Sequence, residues 1–276
     1  MENRKVIYYD DELNNEFSTA KIEPRVIDKN YKYKHGIIWE MFSILFQNVL
    51  TVPIKVIYSK IKFRITYVGK EKLKPYKKQG YFVYGNHTQA FADTFITSNC
   101  MYPKRNFFIV NPENVSIKGL GNFVQMLGAI PLPGDRISRE NFLKHIKYRI
   151  EKGNAVTIFP EAHIWPYYTK IRPFIDGSFK YAVDLNVPAF AITNTYKAYG
   201  KDNKKVKIVT YVDGPFFPDA SLERHEARKG LRDKVYEVMC ERSKNSDIEV
   251  IEYIKNNWIL PKSTTKVEKN RIWWYN

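Results

Sequence analysis

Tyr81–Asp93 reads YFVYGNHTQAFAD. Four aromatic or β-branched residues open it, the composition of a strand. Gly85 and Asn86 follow, a pair suited to a turn. Then come His87 and, from about Ala92, a run that reads as a helix. A strand handing over to a helix through a turn with ionisable residues marks the carboxyl edge of an α/β sheet, where sites of this architecture lie. His87 and Asp93 are six residues apart. On a regular helix their side chains would point about 120° apart. They can meet only if the first residues form a turn and the helix starts near Ala92. A histidine takes up a proton near neutral pH, and a neighbouring carboxylate orients it and stabilises its charged form.

Outward from this stretch the pattern alternates. Strands are expected at Phe63–Val68, Tyr81–Tyr84, Phe107–Val110, Ala155–Phe159, Pro188–Thr193 and Val206–Val212. Helices are expected at Ala92–Met101, Ile117–Leu127, Arg139–Glu151 and Gly177–Leu185, with Ser138 as a cap for the third. A final pair spans about Leu222–Arg242 and Asp247–Lys255. This alternation predicts a single α/β domain with a largely parallel central sheet flanked by helices. Four regions follow: a polar N-terminal arm (1–35), an apolar helical segment (36–60), the α/β domain (61–243), and a C-terminal helix with an aromatic tail (244–276). The segment GIIWEMFSILFQNVLTVPIKVIY, Gly36 to Tyr58, is interrupted by Glu40, Gln47, Asn48, Pro53 and Lys55. It borders on the length of a membrane span. The lysines and arginine that follow it, from Lys60 to Lys78, suit a helix lying on an anionic bilayer. Packing against the sheet is the other reading. The tail NRIWWYN reads as interfacial or as docked on the domain.

Lysine and arginine outnumber acids 45 to 29, a formal charge of +16. That calls for an anionic partner: nucleic acid, a phospholipid surface, or a phosphorylated or CoA-type substrate. Two cysteines, Cys100 and Cys240, form no metal-binding pattern, and the five histidines have no ligand spacing. No metal and no cofactor is expected. The first residues are too charged for a secretory signal.

Three further stretches carry chemistry. AVTIFPEAH is a buried strand that Pro160 stops, so Glu161 projects at the carboxyl edge. LGAIPLPGDR, Leu127 to Arg136, is a Gly/Pro-rich loop bearing Asp135 and Arg136. IRPFIDGSFKYAVDLNVPAFAI leads through Pro173, Phe174 and Gly177 to a Val-Pro strand. In this order, with NHTQAFAD, they resemble the blocks of the glycerolipid (lysophosphatidic-acid) acyltransferases over roughly residues 37 to 243. There are departures. Five residues rather than four separate His87 from Asp93, the Gly128–Arg136 loop is two residues longer, and Ala162 and His163 stand where the family has Gly-Thr.

The resemblance implies roles. His87 would be the general base that takes a proton from an acceptor hydroxyl, and Asp93 would hold its tautomer. Arg136, Glu161 and Asn86 would bind substrate, with Arg136 on the acceptor's phosphate. The partners implied are acyl-CoA or acyl carrier protein, a lysophospholipid acceptor and an anionic phospholipid membrane. The place implied is the membrane's cytoplasmic face, in a peripheral or monotopic position. No nucleic acid is expected, because a nucleic-acid binder would leave the Phe-Pro-Glu strand end and the apolar segment without a purpose. A basic nucleic-acid-binding protein, and a lipid-binding or hydrolytic relative without acyl transfer, are the alternatives that stay open on sequence.

Overall fold

The computed structural model describes residues 4–17, 22–33, 35–202 and 204–256. A seven-stranded sheet forms the centre. Its strands are β2 (Thr66–Val68), β3 (Tyr81–Gly85), β4 (Asn106–Val110), β5 (Ala129–Pro131), β6 (Ala155–Ile158), β7 (Ala189–Tyr199) and β8 (Lys205–Phe216). They lie in the order β2-β8-β7-β3-β6-β4-β5, parallel throughout except for the antiparallel β7–β8 pair. β3 sits between β7 and β6 with all five residues buried. An unbroken apolar run, rather than an alternating one, is what a strand covered on both faces requires. The helices α3 (Ala92–Met101), α4 (Gly121–Met126), α5 (Arg136–Glu151), α6 (Lys180–Leu185) and α7 (Arg224–Ser243) cover the sheet. The expected α/β class with a largely parallel sheet is what forms.

Several boundaries move. Phe63 closes a helix instead of opening a strand, and Arg64 ends that helix in the left-handed region (φ 43°). β7 runs on to Tyr199 because β8 folds back along it over ten residue pairs or mismatched positions from Ala189 to Tyr199. The cap of α5 is Asp135, not Ser138. Its carboxylate accepts from Ser138 N at 2.7 Å, while Ser138 Oγ accepts from Asp135 N at 3.0 Å. The reciprocal box satisfies two otherwise orphaned donors and starts the helix at Arg136.

The C-terminal helix expected over 247–255 is a strand instead. β9 (Ile251–Lys255) pairs in parallel with β1 (Lys5–Tyr9), Lys5 opposite Ile251 and Tyr9 opposite Lys255. Part of the polar arm is therefore a strand too. Ile251, Tyr253 and Ile254 favour a strand, but the partner that makes one is at the other end of the chain. The aromatic tail lies outside the described residues.

The apolar segment is one helix, Ile37–Phe63, 27 residues long. It comprises α1 (Ile37–Leu45), a π-helical turn (Phe46–Leu50) and α2 (Thr51–Phe63). Its polarity is inverted. Ser43, Gln47, Lys55 and Ser59 face inward and are buried, while Ile37, Ile38, Met41, Ile54, Ile57 and Ile61 are exposed, Ile37 by 81% and Ile61 by 77%. The interrupting residues dock the helix. Glu40 Oε1 accepts from Arg149 Nη1 at 2.6 Å and from Arg105 Nη1. Gln47 Nε2 donates to Met126 O at 2.8 Å, and Asn48 Nδ2 to Pro103 O at 2.9 Å. Lys55 Nζ donates to Gln47 O at 2.9 Å, and burial lowers its pKa. α2 lies along α3, where Ser59 accepts from Asn99 at 3.1 Å and the Tyr58 ring meets Phe95 edge-on at 5.6 Å.

Candidate active site

β3 ends at Gly85, and α3 begins at Ala92. The residues between form a turn, which is the condition for His87 and Asp93 to meet. They do: His87 Nδ1 lies 2.9 Å from Asp93 Oδ2. Asp93 is fully buried, and its carboxylate is surrounded by donors. Oδ2 also accepts from Thr88 N and Gln89 N, each at 2.8 Å, and Oδ1 accepts from Asn194 Nδ2 at 3.0 Å. Together with His87 these donors hold the carboxylate in one orientation. With Nδ1–H committed to that carboxylate, the tautomer leaves Nε2 of His87 as the proton acceptor. The imidazole stacks on Phe159, centroids 4.3 Å apart and planes 10° apart. Phe159 directly follows β6, the strand beside β3, so two neighbouring strand ends set the ring's position.

Glu161 reaches the same place but is turned inward. Its Oε2 accepts from His87 N at 3.0 Å, and its Oε1 accepts from Arg172 N at 2.9 Å. Arg172 Nη2 adds a contact to Oε2 at 3.3 Å, and both side chains are buried. Glu161 thus fixes the His87 backbone rather than presenting an open carboxylate. Asn86, expected to bind substrate, is buried, and its amide is engaged by a backbone. Its Nδ2 donates to Asn194 O at 3.0 Å, and its Oδ1 accepts from Asn194 N at 2.8 Å. Asn86 thus ties the turn to β7. Arg136 is set apart from the other four. It opens α5, after the loop that follows the edge strand β5, three places from β3 in the sheet. Its side chain is 93% exposed, with Glu140 at 4.0 Å.

Sequence reading passed over Asn194 and Arg172. Asn194 joins Asn86 to Asp93 and accepts from Thr210 Oγ1 at 2.8 Å. Only the pairing of β3 with β7 brings it there, so no local signal marks it. A polar residue inside the apolar run of β7 was the available hint.

Fold and site together define an α/β core with an imidazole–carboxylate pair at the carboxyl edge of its sheet. Residues 64–195 match the family model described as Acyltransferase. That stretch is an acyltransferase-type domain. Among solved structures it is similar to the 1-acyl-sn-glycerophosphate (LPA) acyltransferase PlsC from Thermotoga maritima. Identity is 18% and the TM-score 0.49, over 76% of this chain and 96% of that one. No curated protein matches the sequence.

Proposed function

We propose that this acyltransferase moves a fatty acyl group from acyl-CoA or acyl carrier protein to a hydroxyl of a lyso-glycerophospholipid such as 1-acylglycerol-3-phosphate. The observation that carries the reading is the 2.9 Å contact of His87 Nδ1 with the buried Asp93 carboxylate. His87 Nε2 takes the acceptor's hydroxyl proton as that oxygen attacks the thioester carbonyl. Asp93 stabilises the imidazolium. When the tetrahedral intermediate collapses, the ester forms, the carbon–sulfur bond breaks, and the imidazolium returns its proton to the thiolate. Neither a covalent acyl-enzyme nor a cofactor is required. Exposed Arg136, at the start of α5, is free to take the acceptor's phosphate with its planar fork of donors.

Both substrates carry long chains, and the exposed apolar side of the 37–63 helix supports work at a lipid surface. Its polar side is docked from Glu40 to Ser59, which supports a monotopic position, with the helix lying in one leaflet's interface. Exposed Lys60, Lys62 and Arg64 at its end favour an anionic, cytoplasmic-face surface.

The test is acyl transfer from CoA and carrier-protein donors across a panel of lyso-lipids. His87→Ala should lower turnover by about 10²–10⁴-fold, the usual range for proton transfer by a positioned base, with vesicle binding unchanged. Arg136→Ala should raise KM for phosphate-bearing acceptors and leave kcat near wild type. Full turnover by His87→Ala would remove the base from the mechanism.

A further inference from the structure

We propose that the N-terminal arm is part of the active site: Glu16 positions the His163 imidazole, and through it the segment that holds His87. The inference rests on the assignment of His87 as base. The segment from Glu161 to Arg172 passes His87 twice. Glu161 Oε2 accepts from His87 N at 3.0 Å, and Trp165 N donates to His87 O at 3.1 Å. Tyr167 N then donates to Thr88 O at 3.1 Å. His163 lies midway between the two contacts with His87. Its Nδ1 is 3.4 Å from Glu16 Oε2, and its side chain is only 18% exposed. Burial lowers the pKa of this imidazole, Arg172 and His87 push it the same way, and Glu16 opposes them. Burial prevails, and Glu16 is the carboxylate that stands beside the ring.

The arm grips this segment at further points. Asn15 O accepts from Trp165 Nε1 at 2.8 Å, and Glu12 O accepts from Arg172 Nη1 at 3.3 Å. Tyr9 and Phe17 meet the Trp165 ring edge-on at 4.8 and 5.1 Å. From β9, Tyr253 stacks on Trp165 at 5.0 Å, and its hydroxyl donates to Pro166 O at 2.9 Å. The segment needs such restraint. Ala162 and Tyr167 hold left-handed conformations, φ 62° and 58°, which a side-chain-bearing residue adopts only under strain. All of these arm and β9 residues lie outside the 64–195 family match.

The experiment compares Glu16→Gln, His163→Ala, His163→Asn and the Glu16→Gln/His163→Ala double variant in the full chain. It measures kcat, KM for donor and acceptor, and the thermal unfolding midpoint. Glu16→Gln and His163→Ala should each lower kcat by about 10–100-fold, the scale of a small misplacement near the reacting atoms, with KM and the midpoint held. The double variant should be no slower than His163→Ala alone, and His163→Asn, which keeps a donor at the Nδ1 position, should recover most of kcat. A wild-type kcat in Glu16→Gln, losses that multiply in the double variant, no recovery by His163→Asn, or a midpoint falling with kcat would each overturn the inference. Those outcomes beside an inactive His87→Ala would leave the base assignment standing.

Discussion

At the scale of single residues, the site depends on small groups in tight places. Gly85 ends β3 where a Cβ would lie 3.0 Å from the Phe159 ring, the ring that supports His87. Gly85→Ala should therefore tilt the imidazole and lower kcat about tenfold or more, because orientation errors near 1 Å carry large rate penalties. A crystal structure of the variant would show the displaced Phe159. The candidate base was legible because its motif is local: a strand, a Gly-Asn turn and a carboxylate within reach. The role of Glu161 was less so. Its projection at the strand end could be read, but the direction of its carboxylate depends on Arg172, eleven residues on. Ala162 adopts the left-handed backbone that a glycine takes freely, so the departure from the family's Gly-Thr preserves the bend at some strain.

At the scale of elements, the 37–63 helix carries a lesson about composition. Glu40, Gln47, Asn48 and Lys55 read as interruptions of a membrane segment, yet the first three attach it to the domain and Lys55 closes back on Gln47 O within the helix. Along the sequence an inward polar face and a broken span look the same; only the docking surface tells them apart. Glu40 is the central joint, since Arg105 and Arg149 both donate to its Oε1. The two cations hold its carboxyl below the usual range despite burial. Glu40→Ala would leave two poorly solvated guanidiniums without their anion. It should destabilise the fold by about 2–4 kcal/mol, toward the lower side of what breaking a buried pair costs, read as an earlier urea midpoint. Sheet order was only partly legible. Six strands of the main sheet announced themselves; β5 did not, because Ala129–Pro131 sits in a stretch that reads as a Gly/Pro-rich loop, and neither did the β1–β9 pair, whose pairing is almost entirely non-local.

At the scale of the whole molecule, a +16 chain presents a long apolar strip flanked by basic residues. Replacing Ile54, Ile57 and Ile61 together by Ser should cut partitioning onto anionic vesicles by about a hundredfold or more, given about 1.5–3 kcal/mol for burying each such side chain. Raised salt should weaken what remains, because only the electrostatic part is screened. Flotation with vesicles of defined composition measures both. The pairing of β1 with β9 has its own consequence for biosynthesis. β1 is made about 240 residues ahead of β9, the strand it pairs with. Until translation has passed Lys255, the clasp around Trp165 lacks Tyr253 and one of its two strands. Synthesis through Lys255 is thereby built into the assembly of the segment that carries Trp165 and reaches His87.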